Sequence, residues 1–214
     1  MFPQDKVKQI SASLDKLGLR NPILKAGILS VVSTETNFTI RNESSYRNTP
    51  VSRLRIIFGK RLAKYTDDQL NQLRTEDVPF FDAVYGGFNG NLSVGDGFRY
   101  RGRGYNQITF KNLYQKYGTM IGVDLVTNPD RLNEPEVASD ALAAYFSDGF
   151  KIGKTVLKTK YNLTDPSLVP DLPTASKIAF QCNAGWGMNL DANPVFVAEH
   201  QKQLQNVDEL FHMI

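Results

Sequence analysis

The spacing of hydrophobic positions predicts a mostly helical chain. Apolar residues recur every three or four positions through much of the sequence, which is the period of an amphipathic α-helix. Helix signals divide this pattern, such as Asn21-Pro22 before one hydrophobic stretch and Gly18 after another. The predicted helices cover residues 4–17, 22–35, 51–64, a short segment from Thr66, 77–85, 109–117, 133–150, 173–182 and 193–210.

Two stretches interrupt the helical pattern. Residues 36–50 are polar and are predicted to form a turn or a short irregular strand pair. Residues 95–104 contain four glycines and three arginines, and a helix beginning at Thr109 follows them. Glycine lets a ligand approach the backbone and arginine offers a planar fork of donors, so we interpret this stretch as a binding strand or loop. A glycine-rich hairpin with solvated arginines is the structural alternative.

A carboxylate continues the hydrophobic stripe of the second helix. Leu24, Ile28 and Val31 share one face, and the next position on that face is Glu35, near the helix C-terminus. Burial and the negative end of the helix would both raise the pKa of this carboxyl, which suits a general acid. The alternative is that Glu35 lies past the helix end, in water.

A second glutamate, Glu43, follows eight residues later. If the helix ends near Glu35, the chain can double back and place Glu43 across a cleft. Two carboxyl groups that flank a groove are the basic equipment of glycoside hydrolysis. Most glutamate pairs at this spacing are surface charge, so the pair alone does not establish a site.

Composition is ordinary for a soluble globular protein and excludes several classes of function. The 214 residues suffice for one domain or two small lobes, and no apolar run approaches the roughly 18 residues that span a bilayer. The N-terminal residues MFPQDKVKQI lack the apolar core of a secretory signal. A net charge of +3 is too small to indicate nucleic acid, but it suits an anionic cell wall.

The residues that bind metals and cofactors are also missing. The single cysteine, Cys182, excludes an intrachain disulfide, and no cluster of His, Cys and carboxylates has metal-ligand spacing. There is no phosphate-binding loop and no G-x-S-x-G motif. We therefore expect no metal and no cofactor.

Six segments form an ordered series of motifs. They are TETNF at 34–38, NESSY at 42–46, VYGGFNGN at 84–91, YRGRGYNQIT at 100–109, GVDLVTNPDRL at 122–132 and CNAG at 182–185. Together they resemble family 19 of the glycoside hydrolases, meaning chitinases and the phage endolysins related to them. The resemblance covers about residues 20–200, and its YRGRG and NPD segments are the most specific.

The resemblance implies a mainly α, lysozyme-like fold in which two helical lobes surround a substrate groove, and a single catalytic domain at 1–214. It implies inverting hydrolysis of a β-1,4 bond beside an N-acetylated amino sugar. Glu35 would protonate the leaving oxygen and Glu43 would activate water, with the carboxyls roughly 6.5–9.5 Å apart. Thr109 matches a hydroxyl that positions this water, although it could equally cap a helix.

Five further residues gain roles through the resemblance. Tyr100, Gln107 and Asn128 match positions that line the sugar subsites. Asn183 matches an asparagine near the N-acetyl group, and Arg103 is expected to support the acid site by ion pairing. Two of these assignments have structural alternatives, because Asn128 could be only a turn residue and Asn183 could be only a helix C-cap.

The sequence departs from the family pattern near both glutamates. Thr34 stands where histidine usually precedes the acid, and Thr36-Asn37 replace the usual glycines. Plant chitinases place their second acid much further along the chain, where no carboxylate stands here. Asp82 and Asp96 therefore remain alternatives to Glu43 as the base.

These features favour a phage or prophage peptidoglycan hydrolase that cuts glycan strands between N-acetylmuramic acid and N-acetylglucosamine. We expect a monomer that binds no nucleic acid, inserts into no membrane and carries no separate wall-binding domain. It would leave the host cytoplasm through a holin or travel on the virion. A chitinase and an inactive sugar-binding virion protein are the alternatives.

Overall fold

The computed structural model describes all 214 residues, most of which are helical. The α-helices are α1 Gln4–Lys16, α2 Pro22–Thr36, α3 Val51–Phe58, α4 Asp67–Leu73, α5 Asp77–Tyr85, α6 Asp96–Arg99, α7 Lys111–Ile121, α8 Pro135–Ile152, α9 Lys154–Tyr161, α10 Leu172–Ala184 and α11 Pro194–Phe211. Short 3-10 helices lie at Gly59–Leu62, Pro129–Asn133, Pro166–Leu168 and Leu190–Ala192. The strands β1 Arg41–Asn42 and β2 Arg103–Gly104 pair antiparallel. The predicted fold class, mainly α and lysozyme-like with a small strand region, is confirmed.

The chain divides into two compact units. Unit 1 comprises Met1–Ile40 and Glu134–Ile214, and unit 2 comprises Arg41–Asn133. Both ends of the chain therefore build unit 1. None of the helices combines the length and the hydrophobicity that crossing a lipid bilayer requires.

Unit 1 is organised around helix α2. Asn21 begins this helix as predicted, because its side-chain oxygen accepts a hydrogen bond from the backbone N–H of Leu24 at 3.0 Å. Helices α10 and α11 pack against α2. The approach of α10 is close, since a Cβ at Gly27 would lie 2.5 Å from the carbonyl carbon of Ala175. A glycine at position 27 is therefore required for this helix crossing.

Unit 2 has an aromatic core. Edge-to-face ring pairs link Phe58 to Phe80 and Phe80 to Phe81, and helices α3 and α5 supply these side chains. The predicted start of α4 is confirmed, because Thr66 accepts from the backbone of Gln69 and the Gln69 side chain accepts from the backbone of Thr66.

The helix predicted over 109–117 was expected to stop at Gly118, and this predicted end is wrong. A Cβ at Gly118 would lie 2.5 Å from the carbonyl oxygen of Val123, so this glycine serves a close packing contact within the helix. The helix continues to Ile121 and ends at Gly122, whose φ of 71° is in the left-handed region. Both glycines look like stop signals in the sequence, and only the folded chain separates their roles.

Two other predictions need correction. Residues 36–50 contribute β1, but its partner is β2 rather than another strand of the same stretch. Residues 95–104 begin as the short helix α6 and only then form β2. Helix α9 was not predicted from the sequence.

Candidate active site

In unit 1, the structure brings together two of the predicted site residues. Glu35 lies in the last turn of α2 and Asn183 in the last turn of α10. The side-chain nitrogen Nδ2 of Asn183 donates a hydrogen bond to Oε1 of Glu35, with 3.1 Å between the two atoms. The predicted alternative role for Asn183 does not hold, because the residue that caps α10 is Gly185.

Of the two interpretations of Glu35, burial on the core-facing side is wrong and exposure to water is correct, although the residue lies within the helix and not past its end. Every residue of α2 from 24 to 33 is buried, so the hydrophobic stripe of Leu24, Ile28 and Val31 did not mark a single core-facing side. The helix reaches the surface in its last turn, where Glu35 is exposed and Thr36 is buried. The sequence argument that placed this carboxyl on the core face therefore does not hold.

A tyrosine on α8 supports the Glu35–Asn183 pair. The hydroxyl of Tyr145 donates to the backbone oxygen of Asn183 at 3.4 Å. Burial, and then the charges of Cys182 and Glu35, raise the pKa of Tyr145 well above its ordinary value. Tyr145 consequently stays protonated, and thus a hydrogen-bond donor, at any physiological pH.

Thr34, which stands where the family has histidine, is held by the helix and by α11. Its hydroxyl donates to backbone oxygens one turn earlier, at Ser30 and Val31. It accepts a hydrogen bond from Nε2 of the fully buried Gln203 at 3.2 Å. The residue before Glu35 therefore anchors the end of α2 to α11.

In unit 2, the carboxylate of Glu43 is held by three donors. Oε1 accepts from the hydroxyls of Tyr46 and Tyr85, at 2.9 and 2.8 Å. Oε2 accepts from the backbone N–H of Gly102 at 3.1 Å, and the Glu43 N–H donates to the Gly102 carbonyl at 2.7 Å. An ionised carboxylate only accepts hydrogen bonds, and this arrangement fits that state.

The two tyrosines leave one carboxylate oxygen of Glu43 with spare capacity. Burial, followed by the charge of Glu43, raises the pKa of both Tyr46 and Tyr85 well above the ordinary value, so both remain donors. They occupy Oε1, whereas Oε2 accepts a single bond and can accept another. A cavity of about 340 Å³ adjoins this carboxylate, and residues that line it include Arg41, Asn42, Glu43, Tyr46, Thr49 and Gln107.

Asp82 and Asp96, the two alternatives to Glu43 as the base, accept hydrogen bonds from backbone N–H groups. Asp82 accepts from the N–H groups of Gly95 and Gly97, at 2.6 and 2.8 Å. Asp96 is 6% exposed, and its Oδ2 accepts from the N–H groups of Leu92 and Ser93. These carboxylates fix the loop before α6 and the start of that helix.

Gln107 lies at the cavity beside Glu43, in a turn between Arg103 and Ile108. Its φ of 53° is in the left-handed region, and its Nε2 donates to the carbonyls of Arg41 and Gly104. The side chain thereby ties the turn to β1. Its position among the lining residues makes Gln107 a candidate for substrate contact.

Thr109 does not cap helix α7, contrary to the alternative drawn from the sequence. Its hydroxyl donates to the carbonyl of Gln107 at 2.9 Å. The first N–H of the helix, that of Lys111, instead donates to Oδ1 of the fully buried Asn91 at 2.9 Å. Asn91 lies in the VYGGFNGN segment, so that motif has a structural role in holding α7. The role of Thr109 toward water stays a prediction.

The other predicted contacts with sugar fall in two different environments. Tyr100 is only 2% exposed, packs edge to face on Tyr114, and donates from its hydroxyl to the carbonyl of Val126. This burial disfavours a direct role in binding for most of the ring. Asn128 is exposed and immediately precedes the 3-10 helix Pro129–Asn133, so its side chain is accessible.

Arg103 joins the two most specific motifs, YRGRG and NPD. It is 2% exposed, and its Nε donates to Oδ1 of Asp130 at 2.9 Å in an ion pair. Its Nη1 donates to the carbonyl of Arg99 and to the hydroxyl of Tyr114. An ion-pairing, supporting role for Arg103 matches this geometry, but the partner carboxylate is Asp130.

Sequence reasoning missed two of the tyrosines near these glutamates, Tyr85 and Tyr145. Tyr85 is 42 positions from Glu43, and Tyr145 lies on a helix far along the chain from Glu35. No local pattern marks either residue, because each acts through the tertiary packing of its helix.

Comparison with known proteins identified a relative with limited coverage. A glycosyl hydrolase family 19 domain-containing protein from Haemophilus influenzae is 32% identical over 120 residues, which are 54% of this chain and 58% of the relative. The chain thus spans a little over half the length of the curated relative it matches. No protein-family model matches the chain. The similarity supports a relationship to family 19, in agreement with the sequence motifs.

Proposed function

We propose that this protein is a glycoside hydrolase that cuts peptidoglycan glycan strands at the β-1,4 bond between N-acetylmuramic acid and N-acetylglucosamine. The name of the Haemophilus influenzae relative supports the broader assignment to glycoside hydrolases. The mildly basic chain suits an anionic wall polymer, which favours peptidoglycan over neutral chitin.

The hydrogen bond between Asn183 and Glu35 carries this proposal. The two residues are 148 positions apart, and the motifs assigned each of them to the sugar site independently. An amide that donates to one carboxylate oxygen fixes the rotamer of the acid. It also places a polar group beside the position where an N-acetylated sugar would lie. In this proposal Glu35 donates its proton to the leaving glycosidic oxygen.

Glu43 is the base in this proposal. Two tyrosine hydroxyls fix its Oε1, so the carboxylate cannot rotate freely, and Oε2 keeps the capacity to accept a proton from water. Inversion at the anomeric carbon follows if this carboxylate activates water directly instead of attacking the sugar. Thr109 would help to position that water.

The exposure of Glu35 sets a requirement on the mechanism. A general acid must carry its proton when the substrate is bound, and an exposed carboxyl has no burial to favour the neutral form. A sugar chain seated over Glu35 would exclude water and favour the protonated state. Substrate binding and protonation of the acid are therefore coupled in this proposal.

The proposed biological setting is a phage or prophage enzyme that acts on the host wall. It would reach the wall from the host cytoplasm through a holin or as part of the virion. The VYGGFNGN segment, which resembles the endolysin branch of the family, supports this setting.

Product analysis on two polymers tests the proposal. Purified peptidoglycan and chitin are digested separately, the fragments are identified by mass spectrometry, and the anomer first released is read by proton NMR. We expect muropeptides ending in reducing N-acetylmuramic acid, released as the inverted α-anomer. Cleavage of chitin alone would establish the chitinase instead, and absence of products from both polymers would favour a protein that only binds sugars.

A further inference from the structure

A second cleft in unit 2 carries positive charge that the proposed chemistry does not use. Its volume is about 530 Å³, and residues that line it include Val94, Asp96, Arg99, Tyr100, Lys111 and Thr127. Two cations and one carboxylate are among these residues. The positive charge available to a ligand depends on the hydrogen bonds and ion pairs that each of these groups already makes.

Hydrogen bonds from one nitrogen hold the Arg99 guanidinium in place, and its other nitrogens remain available as donors. Nη2 donates to the carbonyls of Val126 and Thr127, at 3.3 and 2.8 Å. Nε and Nη1 make no hydrogen bond within the protein, and the side chain is exposed. A guanidinium that is held in place on one side and open on the other is pre-organised to bind a carboxylate.

Lys111 is the second cation, and the nearby carboxylate neutralises it only in part. Its Nζ lies 3.9 Å from Oδ2 of Asp96, at the limit of an ion pair, while that same oxygen accepts two backbone N–H groups. Lys111 Nζ and the Arg99 guanidinium carbon each lie 5.7 Å from the ring centroid of Tyr100. The separation between Lys111 Nζ and the Arg99 guanidinium carbon is thus at most twice their 5.7 Å distance from the ring centroid. One ligand with anionic groups can contact both side chains.

Val94 gives this cleft an exposed apolar side chain. It is 97% exposed, and Leu92, two positions earlier in the chain, is 82% exposed. Large apolar side chains this exposed, beside two cations, match a ligand that combines small hydrophobic groups with carboxylates. A neutral polymer of N-acetylglucosamine has no group that would use the cations.

We propose that this cleft binds the peptide stem of peptidoglycan, with stem carboxylates at Arg99 and Lys111 and alanine methyl groups against Val94. The inference rests on the proposed function and deepens it, because it identifies a feature that distinguishes peptidoglycan from chitin. Wall teichoic acid could supply a phosphate to the same cations, so the test separates the two anions.

The test uses a synthetic stem pentapeptide without sugars, titrated into the isotopically labelled full chain and followed by NMR. We expect saturable shifts of backbone amides at residues 92–100 and 111. Arg99→Gln and Lys111→Gln should each weaken binding about fivefold, in line with exposed charge pairs. Lys60→Gln, an exposed lysine of the same unit, is the matched control and should bind as the wild type does.

Further ligands separate the possible sources of the anion. A pentapeptide with all carboxyls converted to amides should lose binding, and inorganic phosphate should not reproduce its pattern of shifts. Equal binding by the amidated peptide, equal binding by both variants, identical shifts with phosphate, or no binding by the wild type would each overturn the proposal. A dispersed spectrum for each variant shows that it has folded.

The outcome is independent of hydrolysis, because the pentapeptide contains no glycosidic bond. Binding of the peptide by a protein that cleaves no wall would refute the proposed hydrolase and leave the cleft assignment standing. Wall cleavage without any peptide binding would do the reverse.

Discussion

The side-chain amide of Asn183 donates to the carboxylate of Glu35 across a separation of 148 residues. This contact joins the last turns of two helices, α2 and α10, within unit 1. It restricts the rotamer of the exposed Glu35 carboxylate.

The substitution Asn183→Asp should move the alkaline side of the pH–rate profile to higher pH. It places a second carboxylate within hydrogen-bonding distance of Glu35, and such pairs share a proton because both cannot easily ionise together. The pair therefore keeps its last proton to higher pH than a single acid. Initial rates of wall lysis between pH 4 and 9 measure this shift.

Asn206→Asp is the control for this shift. Asn206 donates a hydrogen bond to the hydroxyl of Ser33, which is two positions before Glu35 in the sequence. The substitution therefore introduces the same negative charge near Glu35 without a change at its hydrogen-bond partner. The alkaline limb of this variant should match that of the wild type. An equal shift in both variants would contradict a specific contact between residues 183 and 35.

Removal of either tyrosine hydroxyl that donates to Glu43 should lower kcat by about tenfold with little change in KM. Tyr46→Phe or Tyr85→Phe leaves Oε1 with a single donor, and a hydrogen bond to a charged group contributes about 1.5–3 kcal/mol. The carboxylate loses its fixed orientation while the sugar contacts remain. Tyr65→Phe, on a tyrosine that makes no hydrogen bond from its hydroxyl, is the control. Unchanged kcat in both test variants would refute the role of the tyrosines.

Three carboxylates of unit 2 should separate into catalytic and structural groups. Glu43→Gln should reduce kcat by at least about 100-fold with a near-normal melting temperature, as expected for loss of a general base. Asp82→Asn and Asp96→Asn each weaken hydrogen bonds to backbone N–H groups, and should cost about 1–3 kcal/mol of stability. Kinetics and thermal melts on the same preparations distinguish the groups, and the opposite pattern would transfer the base to an aspartate.

Unit 1 should lose stability as the pH falls through about 6.5 because of His200. Burial, and then the charge of Lys177, lower the pKa of His200, whose ring stacks on Phe180. The unfolded chain then binds the proton more readily than the folded chain, so the free energy of unfolding falls with pH. Melting temperatures between pH 8 and 5.5 should vary less in His200→Leu than in the wild type. Substitution of the exposed His212, as His212→Gln, should leave that variation unchanged.

The predictions that succeeded depend on contacts within a few residues. The start of α2 at Asn21 and the paired hydrogen bonds of Thr66 and Gln69 need only the local sequence. Helix periodicity likewise identified most helices.

The predictions that failed depend on tertiary packing. Helix α2 is buried on all sides over residues 24–33, so its hydrophobic periodicity could not decide between a buried and an exposed Glu35. Gly118 resembles a helix stop in the sequence, but the fold shows that it packs closely against the carbonyl of Val123. Tyr85 has no signal in the sequence, because its hydroxyl meets the Glu43 carboxylate only after α5 has packed.

Lysis by Glu35→Gln is the most direct test of the central claim, that Glu35 supplies the proton. Glutamine keeps the shape of the side chain and can still pair with Asn183 through its carbonyl oxygen, but it carries no acidic proton. Wild type and variant are compared in a wall-turbidity assay, with a thermal melt as the check on folding. We expect a fall in lysis of about 100- to 10,000-fold at an unchanged melting temperature. Lysis by the folded variant at the rate of the wild type would contradict the account.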